Sequence, residues 1–227
     1  MKTERILKPE SLAETIWRLE EVRQGFRQKP TVQVKQALSW ILSRQGLKWS
    51  YMNLFAPTEK DMFGVKLLTG ERINSAALRH VLGEEALRTA ILWNVGSMGM
   101  VKKAMSGFNQ LLERGKPSAK SSSFYCCYKC TLALLRTLTV GKPNNWKEIL
   151  ERGIGRIKEE RTPDGRWHGF PFFYTLLTLS ELDSLSAKAE LRHASKVAQR
   201  LLERYQRDDR TSRFRRLGLE AALSAQS

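Results

Sequence analysis

The stretch ILERGIGRIKEERTPDGRWHGFPFFYTLLTLSEL, residues 149–182, decides the fold. It opens inside an amphipathic helix running from Trp146 to Lys158. The turn Thr162-Pro163-Asp164-Gly165 follows, because Pro presets a turn φ and Gly tolerates a positive one. Phe170 to Leu182 is then apolar or small on nearly all sides. An amphipathic helix, a turn and an all-round apolar helix make one hairpin. The apolar helix belongs to an inner, buried layer and the amphipathic one to an outer layer.

The same rhythm recurs upstream. Gly107-Phe-Asn-Gln-Leu-Leu-Glu-Arg114, a loop, and Phe124-Tyr-Cys-Cys-Tyr-Lys-Cys-Thr-Leu-Ala-Leu-Leu-Arg136 repeat it. Nearly every other periodic segment also reads as helix. Ser11 to Gln28 carries Leu12, Ile16, Leu19 and Val22 at helical spacing, with Ser11 and Glu14 in capping-box positions. Val34, Leu38, Ile41 and Leu42 mark a second helix that closes near Gly46. Ala76 to Trp93 is a third, with a joint expected at Gly83, and Val101 to Leu112 a fourth. Phe124 to Leu138 ends at Gly141-Lys142-Pro143, with the serines at 121–123 as its start. Ala187 to Arg207 is a long basic helix, and Thr211 to Ala225 a short helix or frayed tail. Tyr51 to Phe55 is a short strand or a loop. No β-hairpin and no βαβ alternation is expected, so the class is all-α, built of antiparallel helical hairpins.

The turn Asp164-Gly165-Arg166-Trp167 before an inner helix resembles the Gly-x-Trp element of the α/α-toroid repeats in prenyltransferases and squalene-cyclase-type terpenoid cyclases. Gln45-Gly46 with Trp49, after Ala37-Leu-Ser-Trp-Ile-Leu-Ser-Arg, is similar to a shortened version. The resemblance is clearest over about 100–185. It implies a small or partial α/α toroid, with an open helical-repeat solenoid as the alternative. The expected organisation is a helix or arm over 1–30, a helical-hairpin domain over 31–207 and a basic tail or short helix over 208–227. The family's chemistry does not carry over. Protein prenyltransferases hold zinc with an Asp-x-Cys pair and a later His, and no Asp lies two positions before Cys126, Cys127 or Cys130. The cyclases' Asp-x-Asp-Asp acid has no counterpart either; Asp208-Asp209 sits in a basic tail. The expectation leans away from an enzyme and toward a non-catalytic binding module, with a prenyltransferase- or terpenoid-cyclase-like enzyme using non-standard catalytic residues as an alternative, and no catalytic residue is assigned.

The chain has 227 residues, 41% of them apolar, enough for one large or two small domains. Lys and Arg number 39 against 23 acidic residues, a net charge of +16. Such an excess favours anionic partners: nucleic acid, an acidic lipid surface or an acidic protein. The opening MKTERILKPESLAETIW has no apolar signal-like core, and no run approaches the ~18 apolar residues of a membrane helix. Three clustered cysteines, an odd number, suit a reducing compartment, so a cytoplasmic protein is expected.

Three constellations stand out. Trp167, His168, Phe172, Phe173 and Tyr174, with Tyr125, Cys126 and Cys130, are the candidate lining of a pocket for an apolar or aromatic ligand or a partner protein; the competing reading is that they wedge helices together. Cys127-x-x-Cys130 with Cys126 has the residue type for zinc or redox chemistry. Neither His80, His168 nor His193 is at a ligand-like spacing, however, and the cysteines read as helix interior, where Cys packs as a small hydrophobe. No metal and no cofactor is therefore expected. His80 and His193 read as surface helix residues. Arg200, Arg204, Arg207 and Arg210 recur at four, three and three, one face of a helix, and Arg213, Arg215 and Arg216 extend it into a candidate phosphate or nucleic-acid grip; the competing reading is a solvated face. Gly153-x-Gly155 follows no strand and is discounted as a phosphate loop.

Overall fold

The computed structural model describes residues 5–73, 75–114, 124–205 and 207–225. Among these the chain is all-α apart from a tiny two-stranded sheet, Val65–Lys66 (β1) paired with Arg72–Ile73 (β2). That hairpin was not expected. Its loop closes through Gly70, at φ +91°, where a side chain would be strained. Tyr51 to Phe55 is a loop, pinned by a single bridge between Gln45 and Phe55. The helices form two compact units. The first comprises residues 1–65 and 73–116, the second 66–72 and 117–227.

The first unit holds Leu12–Arg23 (α1), Thr31–Ser43 (α2), Glu59–Met62 (α3), Ser75–Leu92 (α4) and Gly99–Arg114 (α5). Helix α1 is no arm. Leu12, Ile16, Trp17 and Leu19 are buried, and the helix packs on α2 and α4. Its start is fastened from α3: Asp61 accepts from Ser11 Oγ at 2.6 Å and from the Leu12 backbone N–H at 2.8 Å. Helix α4 is buried over every residue from Val81 to Ala90 and runs straight through Gly83. Gly83 is no joint; it gives room to Leu54, whose Cβ lies 2.9 Å from where a glycine substituent would stand.

The second unit holds Tyr128–Gly141 (α6), Trp146–Glu159 (α7), Phe172–Ser180 (α8), Leu185–Leu202 (α9) and Arg210–Ser224 (α10). Two layers follow from the hydrophobic pattern. Helix α6 is buried continuously from Cys130 to Leu138, and α8 from Tyr174 to Leu179. Helix α7 buries only the stripe Leu150, Gly153, Ile154 and Ile157. The inner helices α6 and α8 touch each other, the outer helices α7 and α9 touch each other, and each inner helix backs onto its outer partner. The C-terminal stretch is no tail: α10 packs on α8 and α9 through Phe214, Leu219 and Ala222. Gly218 permits this approach, since a Cβ there would lie 2.8 Å from Leu176 Cβ and 2.9 Å from the Leu177 backbone nitrogen. The start of α8 has Pro171 as its cap, which offers no side-chain acceptor. Glu71, from the β1–β2 loop, fills that role by accepting from the Tyr174 N–H at 3.2 Å. No described helix is long and apolar enough to cross a membrane.

Candidate functional site

The turn quoted at the outset organises the second unit. Thr162 N–H donates to the Arg166 carbonyl at 2.9 Å and Gly165 N–H to the Thr162 carbonyl at 3.1 Å, closing the loop. Gly165 adopts φ +82°, and its missing Cβ would lie 3.2 Å from the His193 carbonyl oxygen of α9. One carboxylate then locks the turn to α9. Glu190, 1% exposed, accepts from Arg161 Nε and Nη2 at 3.0 and 2.8 Å and from Trp167 Nε1 at 3.0 Å. A buried carboxylate is tolerable because a cation and further donors surround it. Glu190 was invisible in the sequence, where it is one charged residue of a basic amphipathic helix.

The far end of the same turn reaches α6. Gly169, at φ +71°, lies under the Tyr128 ring; a Cβ would sit 2.0 Å from Tyr128 Cε2. Phe170 packs on that ring at 4.6 Å between centroids, and the Tyr128 hydroxyl donates to Glu160 Oε1 at 3.2 Å. Tyr128 is thereby fixed as one wall of a cleft of about 290 Å3 at the N-terminus of α6. Phe124, Tyr125, Cys126, Cys127, Thr131 and Arg156 complete the lining. Arg156 is held by Glu159 and Glu160, with its guanidinium 6.0 Å from the Tyr128 ring centroid.

The predicted pocket residues divide. Tyr125 and Cys126 line this cleft, and Cys130 is fully buried one turn into α6. Trp167, Phe172 and Tyr174 are packed within the unit. Trp167 and Phe172 lie 6.0 Å apart, and Tyr174 is buried with the Arg136 guanidinium 5.6 Å over its ring. Arg136 is itself paired with both oxygens of Glu181 at 2.9 Å. Phe173 lies under the Arg215 guanidinium at 4.3 Å and edge-on to Tyr205 at 5.3 Å. His168 is exposed.

Only Cys130 is helix interior, buried in the first turn of α6; Cys126 and Cys127 lie before the helix. Helix α6 begins at Tyr128, and Cys127 is its cap: φ −152° and ψ 170° are extended, and Cys127 Sγ accepts from the Cys130 N–H at 3.4 Å. The two sulfurs lie 3.2 Å apart. None of the three cysteines is in a disulfide; Cys126 is exposed, Cys127 half-buried and Cys130 buried. The Cys127 thiol is pushed down to about 6, first by the hydrogen bond from the Cys130 thiol, then by the Cys130 and Lys129 backbone N–H groups and the Lys129 charge, against burial. Cys is rarely read as a helix cap, but its three-residue spacing is that of a cap and the residue whose N–H it accepts.

The arginine face is also corrected. Helix α9 ends at Leu202 and α10 begins at Arg210, so Arg200, Arg204, Arg207 and Arg210 do not share one helical face. Asp209 caps α10 by accepting from the Ser212 N–H at 3.0 Å, which breaks the helical path before Arg210. Arg213 and Arg216 face Asp208, Arg213 with two contacts of 2.7 Å and Arg216 at 3.8 Å. Arg204, Arg207 and Arg215 instead line a depression of about 340 Å3 with Tyr205, Asp209, Thr211 and Ser212. Arg215 is anchored there, donating to the Thr69 carbonyl at 2.8 Å and to the Tyr205 hydroxyl at 3.0 Å.

In the first unit, His80 is 9% exposed and stacks on Tyr51 at 3.6 Å, not on the surface. Burial, with Arg79 beside it, pushes its imidazole down to about 4. Glu20, Glu84, Glu85 and Arg88 are likewise buried, and Arg88 Nη1 lies 3.2 Å from Glu20 and 3.9 Å from Glu85. His193 is half-buried, its Nε2 3.2 Å from the Arg166 carbonyl oxygen. No protein-family model matches the chain, and neither a curated protein nor a solved structure does so.

Proposed function

We propose that the protein is a helical-hairpin binding module of the α/α-toroid kind, and that the cleft at the head of α6 takes an aromatic or apolar group. The observation that carries this reading is the cleft itself: the rings of Phe124, Tyr125 and Tyr128 around a void of about 290 Å3. Tyr128 is seated there by Gly169, two residues beyond the Gly-x-Trp-like turn, and the two-layered pairing of α6 with α7 and α8 with α9 supports the toroid resemblance. The void is at the lower edge of the ~300–1,000 Å3 usual for drug-sized ligands, so it suits one bicyclic ring or one aromatic side chain of a partner better than a long prenyl chain. The test is fluorescence titration with 8-anilinonaphthalene-1-sulfonate. Saturable binding that is lost on Thr131→Trp, which fills the cleft, and weakened by Tyr125→Ala supports the reading. Binding unchanged in both variants removes it.

A second reading is favoured by the Arg204, Arg207 and Arg215 depression: contact with phosphate groups of a nucleic acid or with an acidic partner. Its signature is retention of single-stranded DNA at low salt that falls steeply as salt rises. Arg204→Glu with Arg207→Glu abolishes that retention if the reading holds; unchanged retention ends it.

A further inference from the structure

We propose that Cys127 and Cys130 form a thiol–disulfide exchange site that reduces a small or peptide disulfide presented at the cleft. The pair has the geometry for it. The sulfurs stand 3.2 Å apart, and closing to a disulfide bond of ~2.05 Å needs a movement of only about 1 Å. Their accessibilities are graded: Cys127 lines the cleft and is half-buried, whereas Cys130 is buried behind the first turn of α6. An incoming disulfide therefore meets Cys127 first, and Cys130 is shielded until a mixed disulfide brings it into play. The helix N-terminus supplies the third part. The Cys130 N–H points at Cys127 Sγ, so a thiolate there is stabilised before any substrate arrives.

The exchange balances as follows. Cys127 thiolate attacks one sulfur of the substrate disulfide; an S–S bond to Cys127 forms, the substrate S–S bond breaks, and one substrate thiolate leaves. The Cys130 thiol then gives up its proton, which neutralises a departing thiolate, and its sulfur attacks Cys127 Sγ. The Cys127–Cys130 disulfide forms and the second substrate thiol departs. Two electrons pass from the protein dithiol to the substrate disulfide, and a cellular thiol of low molecular weight restores the dithiol by the reverse exchange.

The inference uses the cleft but not its aromatic ligand, so the two readings fail separately. Loss of anilinonaphthalene binding in Thr131→Trp says nothing of the sulfurs, and loss of exchange in Cys127→Ser leaves ring binding to be measured. The probe is oxidised glutathione, added to the reduced full-length chain, with acid quenching, alkylation and peptide mass mapping. The wild type is expected to form the Cys127–Cys130 disulfide. Cys130→Ser is expected to stall as a glutathione adduct on Cys127, and Cys127→Ser to react at least ~10-fold more slowly at Cys130. Gly155→Ala, on α7 outside the cleft lining and with nothing within 4 Å of the added Cβ, is expected to react as the wild type does. Three results overturn the proposal. One is adduct on Cys126 with none on Cys127 in the Cys130→Ser chain. Another is Cys130 reacting as fast without Cys127. The third is stoichiometric zinc in the purified chain that is lost on Cys127→Ser, which makes these thiols metal ligands.

Discussion

The acidity of Cys127 makes a prediction whose size depends on the pH of the assay. Its thiol is pushed from an ordinary 9.0 to about 6, chiefly by the hydrogen bond from Cys130. At pH 7 that raises the thiolate fraction about 90-fold. A less basic thiolate is also a weaker nucleophile: with a Brønsted slope of ~0.4–0.5, three units cost about 20-fold, leaving only ~4-fold net. At pH 5.5 the thiolate ratio grows to about 760-fold and the net advantage to ~30-fold, because the ordinary thiol keeps losing its thiolate while Cys127 has lost only part of its own. Iodoacetamide labelling, followed peptide by peptide, is therefore best run at pH 5.5 against the urea-denatured chain. Native Cys127 is expected to label about 30-fold faster there, and Cys130→Ala to erase most of that gain. A native rate at pH 5.5 no higher than the denatured one would refute the reasoning. The sign for stability follows from the same shift. The folded thiol is the stronger acid, so its contribution is complete above pH 9 and fades as pH falls through about 6.

Other outcomes follow from packing and burial. Gly155→Ala meets nothing within 4 Å and should stabilise by ~0.5–1 kcal/mol, whereas Gly218→Ala drives into Leu176 and Leu177 and should cost ~1–3 kcal/mol; urea melts that move both the same way contradict the α8–α10 contact. Arg88→Met removes the cation beside buried Glu20 and Glu85 and should cost about 3–5 kcal/mol, read from the same melts; a loss under 1 kcal/mol speaks against that ion cluster. His80 is the weaker base when folded, so stability should be full above pH 6.5 and decline as pH falls toward 4. His80→Phe keeps a ring on Tyr51 and should flatten that decline; an unchanged pH profile assigns it elsewhere.

Much of the fold was legible because burial in a helix writes a period into the chain. Leu12, Ile16 and Leu19 announced α1, and the all-round apolar run before Leu182 announced an inner helix. What periodicity does not carry is where a helix stops. The arginines from 200 to 210 keep a helical spacing across a break, since charge on an exposed surface is indifferent to whether its backbone stays helical. Asp209 with Ser212 was the capping signal that marked the break. The β1–β2 hairpin was missed because two-residue strands leave no alternation to read. The site was half legible. Tyr125 and Cys126 were placed in the pocket, but the wall that shapes it depends on Gly169 yielding to Tyr128, a contact forty-one positions apart that no local pattern encodes. Glu190 and His80 were hidden for one reason: polar letters in helices read as solvated until a tertiary partner claims them.

The most direct test of the binding cleft is a crystal structure grown with 1-naphthol. The account predicts a naphthyl ring between Phe124, Tyr125 and Tyr128, with the Tyr128–Glu160 hydrogen bond kept. Density for the ligand only elsewhere, or a cleft closed by its own side chains at saturating naphthol, would contradict it.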